Sequence, residues 1–298
     1  MSPVVVVVNP AAGGGRAGGM WRRLEPLAHS LARIEVAVPE DREATREAIL
    51  RAALTGAERV VVVGGDGTIH LVVNALLAAG AGERVGIGVV PAGTGSDLAR
   101  VLRLPRHPEE ALRHAVLAPL RATDAGRCDG PQGRFYFANI ASAGIGGLVD
   151  ATVNAMPRRG RAAFLLATLR ALRAYRCVPV RVTADGQAWF EGRIFLLALA
   201  NGTTFGKGMR IAPGARIDDG LLDAVLVREI AGWQLVRRLP QVYLGRHLGA
   251  RPVSVRLVRE LRLEPLGELP PFDVDGETYP GGAATFAVLP GALRFAMT

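Results

Sequence analysis

The feature that most constrains this chain is a pair of glycine-rich loops, each directly after a short β-branched run. Gly64-Gly65-Asp66-Gly67-Thr68 follows Val60–Val63, and Pro91-Ala92-Gly93-Thr94-Gly95-Ser96-Asp97 follows Ile87–Val90. A strand that ends in glycines and restarts as a helix leaves backbone N–H groups unpaired, and the helix dipole favours an anion there. Without side chains, the loop also lets a phosphate approach the main chain closely. Asp66 and Asp97 would repel such a ligand unless a divalent cation lay between them, so the reading is nucleotide plus Mg²⁺. A single loop of this kind is also what a plain strand-to-helix turn looks like. Two in successive units, both with Gly, Thr and Asp, point to a phosphate site.

Other chemistries are excluded by inspection. A P-loop ends in Gly-Lys-Ser/Thr, and the only lysine is Lys207, in Phe205-Gly206-Lys207-Gly208-Met209, with neither the spacing nor the hydroxyl. The five histidines show no metal-ligand spacing, and no Gly-x-Ser-x-Gly elbow occurs. Gly144-Ile145-Gly146-Gly147 only loosely matches a dinucleotide fingerprint and reads as close backbone packing. The net charge of +9 asks for an anionic partner, but aromatic content is 5% and no nucleic-acid module is visible. Two cysteines make no disulfide framework, which fits a reducing cytoplasm. No apolar run reaches the roughly 20 residues of a membrane span, and Val4–Val8, closed by Asn9-Pro10, reads as a first strand and not a signal peptide.

Strands at Val4–Val8, Ile34–Val38, Val60–Val63 and Ile87–Val90 alternate with helical stretches at Ala17–Ala32 and Arg42–Leu54. This order predicts a doubly wound α/β domain with a mainly parallel sheet, whose ligand crevice lies at the carboxyl ends of the strands, where both glycine loops fall. After about Gly126 short apolar runs alternate with turn signals: Phe135–Ile140, Val178–Thr183, Ala188–Ala200, Leu221–Val227, Val253–Val258, Leu261–Glu264 and Thr285–Leu289. Asp185-Gly186 is a hairpin signal between two of them. The expected domains are residues 1–126, α/β and nucleotide-binding, and 127–298, mostly antiparallel β, with the last segment a candidate for packing back on the first domain.

The GGDGT loop, the PAGTGSDLAR segment and the opening strand ending in Asn9-Pro10 resemble the diacylglycerol kinase catalytic family. Ile217-Asp218-Asp219-Gly220-Leu221-Leu222-Asp223 resembles that family's acidic turn, and Asp273-Val274-Asp275-Gly276-Glu277 its late Asp-Gly-Glu motif. The resemblance implies a β-sandwich second domain that takes the lipid, with the nucleotide in the cleft between domains. It further implies that Gly64, Gly65, Asp66, Gly67, Thr68, Ile69, His70 and Thr94 hold ATP, with Asn9 at the edge and Asp97 beside it. Asp97, Arg100 and Asp124 match a polar network linking the domains. Arg216, Asp219 and Leu221 match a structural Mg²⁺ site with one carboxylate and two main-chain oxygens. From the residues alone, Asp218-Asp219-Gly220 reads equally as an ordinary turn. Ser96, His70 and Val38 depart from the family pattern, and Gly14 stands where relatives carry a basic residue. These departures bear on nucleotide affinity and preference.

A kinase needs a carboxylate beside the attacking hydroxyl. Asp275 and Glu277 are the catalytic candidates, with the choice between them open and a hairpin turn at Asp275-Gly276 the bland alternative. The reading is an ATP- and Mg²⁺-dependent lipid kinase, with diacylglycerol the first substrate choice and phosphatidylglycerol or a sphingoid base behind it. An NAD kinase, or a non-catalytic nucleotide-binding regulator, is the alternative. We expect a cytoplasmic protein peripherally associated with the inner membrane face through the basic segment 158–176, no nucleic-acid partner, and a homodimer as an open option.

Overall fold

The computed structural model describes residues 3–93, 95–154, 175–230 and 240–297. The chain divides into one unit of Met1–Ala125 with Pro290–Thr298, and another of Gly126–Leu289.

The first unit alternates β1 (Val4–Val8), α1 (Arg16–Leu31), β2 (Ile34–Ala37), α2 (Arg42–Leu54), β3 (Arg59–Gly64), α3 (Asp66–Ala78) and β4 (Gly86–Pro91). The short α4 (Asp97–Val101), α5 (Pro108–Leu117) and β5 (Leu120–Gly130) follow. The strands run parallel in the order β2-β1-β3-β4. Every residue of β1 is buried, as expected of a parallel strand covered on both faces. On one face Val4, Val6, Val8, Val61 and Val63 meet Trp21, Leu24 and Ala28 of α1 and Leu112 and Ala115 of α5. Val5, Val7, Val60 and Val62 point the opposite way and are buried too, while α2 and α3 pack together. Asp41 caps α2 by accepting from Ala44 N–H at 2.8 Å, and Pro108 opens α5 at a position where its missing N–H costs nothing.

The second unit holds β6 (Gly133–Phe137), β7 (Ile140–Gly144), α6 (Ile145–Asn154), β8 (Val178–Ala184), β9 (Gln187–Ala200), β10 (Leu222–Arg228), β11 (Val253–Val258), β12 (Glu260–Pro265), β13 (Phe272–Val274) and β14 (Glu277–Tyr279). β15 (Ala284–Ala296) pairs antiparallel with β12 through its first residues, and its Phe295 pairs parallel with Ile87 of β4 in the first unit's sheet. The long β9 pairs with β8 through its first half and with β7 and β10 through its second, all antiparallel. Its two halves serve the layers of a β-sandwich around Phe137, Val180, Leu197, Leu199, Phe272 and Phe286. Asp185 and Gly186, both at positive φ, close the β8–β9 hairpin.

One sequence run is split. Phe135–Ile140 reads as one strand, yet β6 ends at Phe137 and β7 starts at Ile140. The amides of Ala138, Asn139 and Ile140 turn to a carboxylate instead of a ladder. Gly146 and Gly147 behave as close-packing positions, since a Cβ would run into Ser142 Oγ at the first and Pro271 C=O at the second.

Candidate active site

In the first unit three loops converge at the carboxyl ends of β1, β3 and β4. Each is a strand that gives way to glycines because the next segment must turn sharply and pack backbone to backbone. An added Cβ on Gly93 would sit 2.6 Å from the Gly65 Cα, so the two glycine loops lie against each other with no room for a side chain. Gly13, at φ 63°, presses on the Ala92 carbonyl in the same way. Asn9 joins the cluster from β1: its Nδ2 donates to Thr68 Oγ1 at 2.9 Å, and its Oδ1 accepts from Ala11 N–H. Thr68 in turn packs on Gly64, where a Cβ would lie 2.8 Å from Thr68 Oγ1.

The two loop acids share this place. A Cβ on Gly95 would lie 2.9 Å from Asp66 Oδ2 and 4.0 Å from Asp97 Oδ2, so both carboxylates border the same glycine. Arg100 holds Asp97 at 2.8 Å and the Gly95 carbonyl at 2.6 Å through one nitrogen. Asp124 is buried and accepts from Gly291 N–H at 2.8 Å. Ser96 stands at φ 54°, a left-handed conformation that Asn adopts more readily. Among the other candidates, Ile69 and His70 are buried within α3, and the His70 ring lies beside Asn74. Their side chains serve helix packing more than an open surface. Thr94 lies outside the described residues.

In the second unit Asp275 and Gly276 form the two-residue turn between β13 and β14, at φ 54° and 86°. The turn geometry needs left-handed backbone at both positions, which Asp and Gly tolerate. The turn is also built into a network. Asp275 Oδ1 accepts from Asn139 N–H at 3.0 Å and Ile140 N–H at 2.9 Å, and Oδ2 from Ala138 N–H at 2.8 Å. Its own N–H donates to the Ile140 carbonyl at 3.0 Å. Asp273, buried, accepts from Gly276 N–H at 2.9 Å. Glu277, the first residue of β14, is half-buried and follows directly on this pinned turn. Asp275 is thus committed to backbone amides, a role that suits holding the turn better than accepting a proton.

Sequence reasoning missed the residues that hold the amide cradle. Asn139 Nδ2 donates to Thr204 C=O at 2.9 Å, and Asn201 Nδ2 donates to Ala138 C=O at 2.8 Å. The Asn139 carbonyl accepts from Asn201 N–H and Gly202 N–H. Both asparagines are buried at the ends of apolar runs, a position where a polar side chain must earn hydrogen bonds, and that was the available signal.

The acidic turn is intact as a turn. Asp219 Oδ1 accepts from Leu221 N–H at 3.1 Å, and Arg216 Nε faces Asp218 at 3.3 Å. Burial, with the Asp219 charge behind it, pushes the Asp223 carboxyl up to about 6. Like charges gathered here suit a hard cation taking one carboxylate with main-chain oxygens. Among the described residues, no group of three or more His, Cys, Asp or Glu side chains is placed to hold a metal ion. No helix among them is long and apolar enough to cross a membrane.

The chain thus combines a parallel α/β unit carrying paired glycine loops with a β-sandwich unit, the architecture of the diacylglycerol kinase and NAD kinase folds. Residues 3–128 match the diacylglycerol kinase catalytic domain, and residues 139–297 match the YegS C-terminal NAD kinase beta sandwich-like domain. The chain is 31% identical to the probable lipid kinase YegS-like of Chromohalobacter salexigens over 301 aligned positions, covering 94% of this chain and 93% of that one. It is 29% identical to a diacylglycerol kinase of Mycobacterium tuberculosis, over 98% of this chain and 94% of that one. A crystal structure of a diacylglycerol kinase from Bacillus anthracis superposes with a TM-score of 0.81 at 22% identity, covering 100% of this chain and 97% of that one. The chain belongs to the diacylglycerol kinase catalytic family, in its YegS-like lipid kinase branch.

Proposed function

We propose that this protein is an ATP- and Mg²⁺-dependent lipid kinase that transfers the γ-phosphate to a lipid hydroxyl, with diacylglycerol as the preferred acceptor and phosphatidic acid as product. The observation that carries the nucleotide half is the side-chain-free approach of Gly65 and Gly93, flanked by Asp66, Thr68 and Asp97. Backbone amides at the start of α3 suit a polyphosphate, and Asp66 and Asp97 suit its divalent cation. Mg²⁺, when bound with the nucleotide, would neutralise charge on the transferring phosphoryl group. In the acceptor half, Glu277 takes the hydroxyl proton as the lipid oxygen bonds to phosphorus and the bond to the departing diphosphate oxygen breaks. Asp275 holds Glu277 in place through the 138–140 amides.

The test is transfer of labelled phosphate from ATP to a panel of diacylglycerol, phosphatidylglycerol, a sphingoid base and NAD. Label on diacylglycerol is the expected result. Label on NAD alone would replace this reading with an NAD kinase, and label on none of them would leave a nucleotide-binding regulator.

Asp219 is proposed to hold a structural Mg²⁺ with main-chain oxygens of Arg216 and Leu221. An ion that binds only the native state raises the melting temperature. Without nucleotide, Asp219→Ala is therefore expected to lose the Mg²⁺-dependent shift seen in wild type, measured by differential scanning fluorimetry. An equal shift in both proteins would reduce the site to a turn.

The basic segment 158–176 falls, but for its last two residues, outside the described residues, and is proposed from sequence to meet an anionic lipid surface. Arginines near such a surface each contribute about 1 kcal/mol, screened by salt. Sedimentation with anionic vesicles is expected to fall as salt rises and to weaken on charge reversal of Arg158, Arg159 and Arg161. Equal binding to neutral vesicles would contradict this surface.

A further inference from the structure

All but one of the chain's 36 basic residues are arginine, and the exception is Lys207. It stands at the tip of a small hairpin. Phe205 and Met209 pair antiparallel, with Phe205 N–H donating to Met209 C=O at 3.0 Å and Met209 N–H to Phe205 C=O at 2.9 Å. The three residues between them, Gly206, Lys207 and Gly208, all have positive φ, at 56°, 66° and 106°. Glycine takes that backbone freely, and lysine does not. Asp185 and Asp275, also at positive φ, close hairpins with carboxylates that accept backbone N–H groups: Asp185 Oδ1 accepts from Arg259 and Glu260 N–H, both at 2.9 Å. An ammonium has no acceptor and cannot stabilise its own turn in this way. The strained position of Lys207 is therefore explained by what its side chain binds, not by the turn it occupies.

One buried residue ties this hairpin to the turn that carries Glu277. Asn139 donates through Nδ2 to the C=O of Thr204, the residue before Phe205, at 2.9 Å, and through its N–H to Asp275 Oδ1 at 3.0 Å. Its C=O accepts from Asn201 and Gly202 N–H, which fixes the chain leading into the hairpin. All of these residues belong to the second unit. The tip beyond them is open. No atom lies within 4 Å of a Cβ on Gly208, and among the described residues the N–H groups of Gly206 and Gly208 donate to no backbone carbonyl. A cation set between two such amides in positive-φ backbone is the make-up of an anion nest.

We propose that Lys207, with the amides of Gly206 and Gly208, holds the phosphate newly joined to the lipid. This inference rests on the lipid kinase reading. In that reaction the lipid oxygen bonds to phosphorus, its proton passes to Glu277, and the bond from phosphorus to the departing diphosphate oxygen breaks. The new phosphomonoester arises beside the turn that carries Glu277, and the residue that pins this turn also pins the lysine hairpin. A tetrahedral phosphate reached from a tight turn suits the compact charge and rotatable donors of lysine. The planar fork of arginine works best in a bidentate approach. An interaction gained as the phosphoryl group reaches the acceptor acts on turnover and on product affinity, and not on capture of the unphosphorylated lipid.

The test is isothermal titration of the full chain with soluble dihexanoyl phosphatidic acid, dihexanoylglycerol, ADP and inorganic phosphate, alongside steady-state transfer and thermal melts. Lys207→Met is expected to bind the phosphatidic acid at least about tenfold more weakly, the size of one lost charged hydrogen bond, and to lower kcat with KM for diacylglycerol near wild type. Affinity for dihexanoylglycerol and ADP should hold, since neither carries the new phosphate. Lys207→Arg keeps the charge in a poorer geometry and is expected to lose only about threefold. Lys207→Gly should lose phosphatidic acid as methionine does, yet melt no lower than wild type, because glycine relieves the left-handed backbone. Equal phosphatidic acid affinity in wild type and Lys207→Met, a loss confined to ADP, or a lower melting temperature in Lys207→Gly would each overturn the proposal. So would inorganic phosphate binding as tightly as the phosphatidic acid, which marks a general anion site. Titration needs no turnover, so a wild type that phosphorylates no lipid and a Lys207→Met that binds the product normally are separate failures, the first of the kinase reading and the second of this inference.

Discussion

Glu277→Gln is expected to lower turnover by about two to four orders of magnitude while leaving ATP affinity close to wild type, as loss of a general base does. The amide keeps the shape of the side chain while removing its negative charge and its ability to take a proton. Asp275→Asn should behave differently. Its carboxylate accepts from Ala138, Asn139 and Ile140 N–H, so an amide NH₂ would point donors at donors. Leaving such groups unsatisfied costs about 1–3 kcal/mol each, so this variant should lose thermal stability as well as activity. Single-turnover phosphate transfer, isothermal titration with an ATP analogue and thermal melts separate the two outcomes. Near wild-type turnover in both variants would remove this pair from the chemistry. Loss of stability in Glu277→Gln and not in Asp275→Asn would reverse their roles.

The second large effect is expected from Gly93→Ala. Its methyl group would lie 2.6 Å from the Gly65 Cα, well inside van der Waals contact, and backbone on both sides cannot yield as a flexible side chain would. The loops must part, which displaces the amides at the start of α3 from a common phosphate. We expect weakened nucleotide affinity and about a hundredfold loss of phosphoryl-transfer rate, the size a misplacement near 1 Å brings. Gly14→Ala provides the contrast, since no atom lies within 4 Å of a Cβ there, although its φ of 71° adds backbone strain. Nucleotide affinity unchanged in Gly93→Ala, with the fold verified by circular dichroism, would show that the loops do not act together on a phosphate.

The same comparison shows why some of the site is visible in the chain and some is not. Gly64–Thr68 and Gly93–Asp97 could be read because a strand ending in glycine and restarting as a helix leaves local marks: β-branched residues, absent side chains, acids in the first turn. Asp275-Gly276 was equally visible, yet it presented as two readings, a hairpin turn or a catalytic motif. In the fold these are one thing, since the left-handed turn is what delivers Asp275 to the amides of residues 138–140. Asn139 and Asn201 gave little warning. Each holds a carbonyl about sixty residues away, and such pairings leave no period or spacing to detect.

Local chemistry was sufficient for the alternation of strands and helices in the first unit and for the places where each strand stops. Periodicity and turn residues act over a few positions, and those positions are adjacent in the chain. It was not sufficient for the break of Phe135–Ile140 into β6 and β7, which depends on a carboxylate 135 or more residues distant. Nor did it show that Ile69 and His70 turn into the packing of α3, or that Val255 and Leu257 are exposed on β11, which among the described residues pairs with β10 alone. Hydrophobic pattern says that a side chain wants burial; only the neighbouring strands decide whether anything is there to cover it.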